Sequence, residues 1–307
     1  MISVIIPCRE DAEECAATIR SVRDTAPEAE VIVIDDGSQV PLAVPGGVVL
    51  RRVYGRAGVA ASRHIGATLA SNPYLFFLDA HCRLESGWYE HAVERMKSTE
   101  RTLYCATCLG LTPGNMDIRR PDGEYNGASL QFVGKDTATG EMQFFEGKWL
   151  PNKIEDNAEM QCVMGACYLI HRRFFFEIGG LRMLHSWGSD EPFLSLKAWM
   201  AGGSVRYLKP VRVGHQFRKA TSYRSKRAAL FFNKLASAAI LFPDDALKHF
   251  SSLMNLHCKP PADLRIAREW LTNEQRHIEV ERVLGEAVFT RSLEEWLERW
   301  SVPRFWP

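Results

Sequence analysis

No stretch of the 307 residues reaches the roughly 18 uninterrupted apolar residues that a membrane helix needs. The N-terminus, MISVIIPCREDAEEC, has no basic segment ahead of its short apolar run, so no secretory leader is expected. Both absences predict a cytoplasmic protein with no membrane partner. Net charge is nearly absent as well. With 38 Lys plus Arg against 37 Asp plus Glu, total charge names no partner. Eight cysteines are too few to staple a chain of this length, and most sit in apolar segments, where they read as buried thiols. Cys105 and Cys108 have CxxC spacing, but no second Cys or His pair lies nearby to complete a zinc site. There is no internal repeat and no low-complexity tract.

What is present suits a soluble globular protein of one large or two smaller domains, 46% apolar and 24% charged. SVIIP (3–7), EVIVID (30–35) and VVLRRV (48–53) are β-branched runs too short for buried helices. DAEECAATIRSVRDT carries Cys15, Ile19 and Val22 at helical spacing, and a second helix pattern, AGVAASRHIGATLAS, precedes the strand YLFFLD. This order predicts an α/β fold with a mainly parallel sheet flanked by helices. From 110 to 160 Gly, Pro, Asn and Asp accumulate, which predicts a loop-rich insertion over the sheet edge. Helix and strand patterns resume after 160, and the chain beyond 226 is helical in pattern, as in RSLEEWLERW.

Ligands of such sheets gather beyond the carboxyl ends of the strands. Two of those ends carry acids: Asp35 and Asp36 close VIVIDD, and Asp79 closes YLFFLD with His81 two residues on. Strand alternation puts Asp79 and His81 on one side, and a carboxylate with an imidazole suits manganese or another first-row divalent ion. Two ligands alone hold a metal poorly, and His81 as a plain hydrogen-bond partner of Asp79 is the competing reading.

Five ordered motifs then carry a resemblance: VIVIDDGS, GRAGVAASRHIGA, FLDAHCR, VMGACYLIHRRFFFEIGG, and the long stretch from WGSDEPF to VGHQFRKATSY. Over residues 1–225 the chain resembles the polypeptide N-acetylgalactosaminyltransferases, which are retaining, manganese-dependent UDP-sugar glycosyltransferases of GT-A fold. The resemblance implies a catalytic domain over 1–225, with a nucleotide-binding half to about 110 and an acceptor half beyond it. Residues 226–307 would be a helical extension packed on that domain.

It also implies roles. Asp79, His81 and His215 would hold Mn2+ or another divalent metal, with the UDP diphosphate completing its shell. Asp36 would contact the uridine and Arg56 would lie beside the nucleotide, with Pro7, Gly58, Arg63 and Ala80 around it. Gly165 would lie under the sugar. Trp187 would wall the pocket, Asp190 and Glu191 would face sugar hydroxyls, and Arg218 and Tyr223 would reach the phosphates. Two departures from the family pattern stand out. Its Ala-Gly-Gly is Met164-Gly165-Ala166 here, and its Glu-Asn is Asp190-Glu191. The N-acetylgalactosamine preference is therefore not carried over, and an Asp at 190 reopens inversion with Asp190 as base.

For the acceptor, the absence of a lectin module or membrane anchor suggests a stand-alone bacterial or phage-type relative. Pro192 to Pro243 contains no acid, while Lys197, Arg206, Lys209, Arg212, Arg218, Lys219, Arg224, Lys226, Arg227 and Lys234 supply ten cations. Such a run can track a polyanion. A hydroxymethylated pyrimidine in DNA is accordingly expected ahead of a Ser/Thr hydroxyl of polypeptide. A non-catalytic sugar-nucleotide or nucleic-acid binding protein is the reading from another class.

Overall fold

Short β-branched runs alternating with amphipathic segments set the order of the first half. The computed structural model describes residues 1–136, 139–150, 153–218 and 226–307. Strand β1 (Ile2–Cys8) leads through α1 (Ala12–Thr25) to β2 (Glu30–Asp35) and β3 (Val49–Arg52). Helix α2 (Val59–Leu69) brings the chain back to β4 (Tyr74–Leu78), β5 (Cys82–Leu84) and α3 (Trp88–Lys97). Helix α1 buries Cys15, Thr18, Ile19 and Val22, one stripe of a 3.6-residue repeat, and keeps Glu13 and Glu14 in its first turn, where the helix dipole favours them. All of β1 but Pro7 is buried, as a strand covered on both faces requires.

Next come β6 (Thr102–Leu111), β7 (Gly123–Tyr125), β8 (Ala128–Lys135), β9 (Met142–Trp149), β10 (Cys167–His171), α4 (Arg172–Glu177), α5 (Asp190–Met200) and β11 (Ser204–Gln216). The expectation of a loop-rich insertion across 110–160 is thus corrected: β8 and β9 form a separate antiparallel hairpin there. Only one face of the hairpin is dry. Leu130 and Phe132 alternate with half-buried residues, so polar Gln131 and Gly134 dilute the apolar signal.

The large sheet runs β3-β2-β1-β4-β10-β6-β11-β5, with β7 added on β6. It is parallel from β3 to β4 and mixed beyond, because β10 is antiparallel to both its neighbours. All ten residues of β6 are buried, with β11 parallel alongside. The chain winds outward from β1 to β3 and then crosses back to set β4 on the other side of β1. At that reversal the strand ends splay and leave a crevice.

Five helices complete the chain: α6 (Arg227–Leu241), α7 (Asp244–His257), α8 (Pro261–Asn273), α9 (Gln275–Glu286) and α10 (Leu293–Arg299). Helices α6, α7 and α10 pack on the β8–β9 hairpin, and α8 and α9 pack on α6. Phe132 meets Trp296 edge-on at 5.2 Å between ring centroids, and Phe144 meets Phe250 at 5.5 Å. One apolar cluster therefore runs from α5 through the hairpin into α6 and α10 without a break at residue 226.

Candidate active site

A cavity of about 470 Å3 opens at the reversal point. Its floor is the turn after β4. The Thr18 hydroxyl of α1 donates to the carbonyls of Ala80 and Cys82 at 2.9 and 3.0 Å and accepts the Cys82 N–H at 2.9 Å, which pins that turn. Asp79 is the first residue past β4 and His81 lies in the turn itself. They meet through this reversal and not through the strand alternation expected from sequence. Pairing of β5 with β11 sets His215 opposite Cys82, and the Gln216 N–H donates to the His81 carbonyl at 3.1 Å. The His81 and His215 rings come to 4.8 Å, and His215 Nε2 stands 3.3 Å from Asp79 Oδ2. One ligand atom from each of Asp79, His81 and His215 lies within 4.8 Å of the others.

These residues fit a divalent ion by a criterion independent of resemblance. Both ring nitrogens of His215 are buried without a hydrogen-bond partner in acceptable geometry. Such atoms are costly unless something binds them. Burial opposes ionisation of Asp79, yet His215 and then Arg63 hold its carboxyl well below the usual range. Two imidazoles and a carboxylate are the donor set of first-row divalent metals.

Arg63 of α2 connects this corner to the opposite wall. It is 2% exposed and lies 5.1 Å from the centroid of the Tyr168 ring. Its Nη2 donates to Asp79 Oδ1 at 2.8 Å, its Nη1 donates to Asp190 Oδ2, and Glu191 Oε1 lies 3.5 Å from the same nitrogen. Asp190 is thereby drawn behind the wall and does not line the cavity, contrary to expectation, whereas Glu191 does. Burial and then the neighbouring Asp190 push the Glu191 carboxyl well above its ordinary range. A Cβ at Gly165 would stand 2.0 Å from Glu191 Oε1, so glycine is what admits this carboxyl to the floor.

Of the two acids closing β2, Asp35 is structural: it accepts the Ser38 N–H at 2.8 Å and pairs with Arg52 at 3.0 Å. Asp36 lines the cavity and accepts the N–H groups of Ala57 and Gly58 at 2.6 and 3.0 Å. Gly58 sits at φ +94° against Ser186, where a Cβ would come within 2.2 Å of backbone. Gly58 and Arg56 do not themselves line the cavity, though the Arg56 charge acts on Asp36. Pro7, Ala80, Trp187 and Arg218 do line it, Trp187 as a half-exposed lip. Tyr223 lies outside the described residues.

The description "Glycosyl transferase family 2" belongs to the family model that matches residues 3–175, more than half of the chain. The chain belongs to glycosyl transferase family 2. Human polypeptide N-acetylgalactosaminyltransferase 10 is 23% identical over 331 aligned positions, covering 99% of this chain and 50% of the relative. Drosophila melanogaster polypeptide N-acetylgalactosaminyltransferase 3 is 27% identical, covering 79% and 39%. This family 2 chain thus spans about half the length of such relatives. Among solved structures, GalNAc-T7 with UDP, GalNAc and Mn2+ superposes with a TM-score of 0.69 at 20% identity, covering 100% of this chain and 58% of that one. S. aureus TarS gives 0.50 at 11% identity, covering 83% and 42%. The fold is GT-A, as the motif resemblance implied.

Within the family 2 scaffold, one site residue escaped the sequence reading. Asp11 stands at the N-cap of α1 but makes no capping bond. Its Oδ2 instead meets Arg218 Nη2 at 2.8 Å and His81 Nδ1 at 3.4 Å. The available signal was an acid at a cap position, which is too common to single out.

Proposed function

We propose that the protein transfers a glycosyl group from a metal-bound UDP-sugar to a hydroxyl of a polypeptide. The observation that carries this reading is the convergence of Asp79, His81 and His215 at the cavity floor beside the Arg63-linked Asp190 and Glu191. A divalent ion held by those three residues would supply a Lewis acid that neutralises charge gathering on the departing diphosphate. Arg218 stands at the same edge to pair with phosphate oxygens. Asp36, with its carboxyl already oriented by two backbone N–H groups, is placed for the nucleoside. Glu191, on the cavity wall, would face a sugar hydroxyl, and Arg63 keeps the two corners in register.

Retention is the stereochemical outcome proposed. Asp190, the base an inverting route would use, is 1% exposed and already bonded to Arg63. A general base has to reach the hydroxyl it deprotonates.

Polypeptide replaces DNA as the leading acceptor for two reasons. The named relatives act on polypeptides by their printed names, and nothing in the comparisons favours a nucleic acid. Most described cations of the acid-free run are also engaged by other groups, although Lys226 and Arg227 at the start of α6 are exposed. Lys197 is buried, Arg212 pairs with Glu85 at 3.1 Å and Glu124 at 3.4 Å, Arg218 with Asp11, and Lys234 with Glu146. Arg206 donates to the Asn157 carbonyl at 2.9 Å, and Lys209 stands 4.0 Å from Glu155. Lys219 and Arg224 lie outside the described residues.

The test is incubation with manganese, a panel of UDP-sugars, and either a Ser/Thr peptide library or hydroxymethylated DNA, followed by acceptor mass. A sugar-sized gain on peptide, lost with His215→Ala, is the expected result. Mass gain on DNA alone would overturn the acceptor, and full activity of His215→Ala would overturn the metal assignment.

A further inference from the structure

Two walls of the cavity are anchored from a single place, the second turn of α6. That turn lies beyond residues 3–175 of the family match and beyond the motif resemblance over 1–225. Asn233 is fully buried and commits its whole amide to one loop. Its Oδ1 accepts the His185 N–H at 2.7 Å, while Nδ2 donates to the carbonyls of His185 at 2.7 Å and Gly188 at 2.8 Å, with that of Trp187 at 3.4 Å. Both amide hydrogens and the carbonyl oxygen are thus engaged.

The loop needs an outside anchor. Met183, Ser186 and Ser189 hold φ of 75°, 56° and 67°, a left-handed conformation that costs non-glycine residues free energy. Helix α6 supplies more than Asn233. The Phe232 ring stacks on His185 at 4.2 Å, and Leu230 occupies the space a Cβ of Gly188 would take, 2.5 Å away. The far side of the loop is tied to the start of α2, where the Val59 N–H donates to the Ser186 carbonyl at 2.7 Å.

The next residue of α6 holds the other wall. Lys234, 5% exposed, donates its Nζ to the Phe144 carbonyl and to the Glu146 carboxylate on β9. Phe145, between these two acceptors, has φ of 47°. Glu146 and Gly147 line the cavity facing the Trp187 loop.

We propose that α6 is part of the site's scaffold, with Asn233 and Lys234 as positioning residues that fix the Trp187 loop and the Glu146 strand at a set separation across the cavity. What that separation does to substrate rests on reading the cavity as the transfer site; the anchoring itself does not. On that reading the acceptor would enter between these walls, and the gap between them would govern acceptor fit more than donor binding.

The experiment uses the full chain as wild type, Asn233→Leu, Asn233→Ser, Lys234→Met and Lys234→Arg. Amide hydrogen exchange is read along the chain, together with quenching of tryptophan fluorescence by UDP plus Mn2+ and KM and kcat for transfer. Either Asn233 variant should speed exchange over 185–188 by about tenfold or more, the effect of leaving buried partners unpaired. Exchange over 144–147 should stay as in wild type. Lys234→Met should do the converse, with Lys234→Arg restoring protection. Acceptor KM should rise in the variants that loosen a wall, with UDP affinity within about twofold, since the Asp79 corner is untouched. Unchanged exchange at both walls overturns the proposal. So does a uniform rise along the whole chain, which marks general loss of stability, and so does a loosened wall with acceptor KM and kcat unaltered. If wild type binds no UDP, the transfer reading fails, and the local exchange pattern alone decides whether α6 anchors the walls.

Discussion

Asp11 shows how a residue can leave a generic role for a particular one. At a helix N-cap an aspartate ordinarily accepts a backbone N–H. Here it faces His81 and Arg218 instead, which would orient the His81 ring so that its other nitrogen turns to the metal corner. Asp11→Asn should weaken manganese binding by about 10- to 100-fold, the usual effect of losing such an outer partner. Titration of Mn2+ by electron paramagnetic resonance checks this without any turnover assay. Arg63 carries a different burden. Removing it strands Asp79 and Asp190 in a buried setting, so Arg63→Met should cost about 3–5 kcal/mol. Chemical denaturation reads that loss, and a variant as stable as wild type would mean the network contributes no net stability. Neither residue's part was legible from sequence in full. Arg63 was assigned to the nucleotide by motif, but its bridge to Asp190 spans 127 positions, a pairing that no local pattern encodes.

Elements were easier to read than their roles. The segments from β1 to β4 emerged from periodicity because each is either continuously apolar or cleanly amphipathic. The β8–β9 hairpin did not, since it buries one face only, and its turn residues resemble those of an irregular loop. The metal corner was legible as three residue types in two motifs, while the turn that joins them was misread as strand. Among the described residues, helix α10 is the one with a complete capping box: Ser292 accepts the Glu295 N–H at 3.1 Å, and Glu295 accepts the Ser292 N–H at 2.6 Å. Ser292→Ala should therefore lower stability by about 1 kcal/mol. The Phe132–Trp296 contact depends on that helix, so the loss should appear as a lower urea midpoint for the whole unfolding transition.

Across the whole molecule, a half-buried His64 and a buried Lys197 share one spot where α2, α4 and α5 meet α9. His64 accepts the Leu181 N–H through Nδ1 at 3.3 Å, and burial, with Arg182 and Lys197 nearby, pushes its pKa to about 4. Burial pushes Lys197 to about 7, against the pull of Glu281, while its Nζ donates to the Gly180 carbonyl at 3.1 Å. Each group binds its proton more weakly in the folded chain than in the unfolded one. Stability should rise with pH from about 4 to 6.5 through His64 and from about 7 to 10.5 through Lys197. Urea midpoints across pH check this: His64→Gln should flatten the lower window and Lys197→Met the upper.

The burial of β6 has a consequence for how the chain is made. Its partner β11 begins pairing at Ser204, 102 residues after Thr102. At a synthesis rate of about 5–20 residues per second, the longest fully buried strand of the sheet waits on the order of ten seconds with an edge unpaired. Until β11 emerges from the ribosome, that edge is open to pairing with other nascent chains. A chain cut after residue 175 should remain in that condition permanently and be recovered in the insoluble fraction, although it holds the whole of the family match. The unit that folds would then be longer than the unit that is recognised, its sheet completed only by a strand from far downstream.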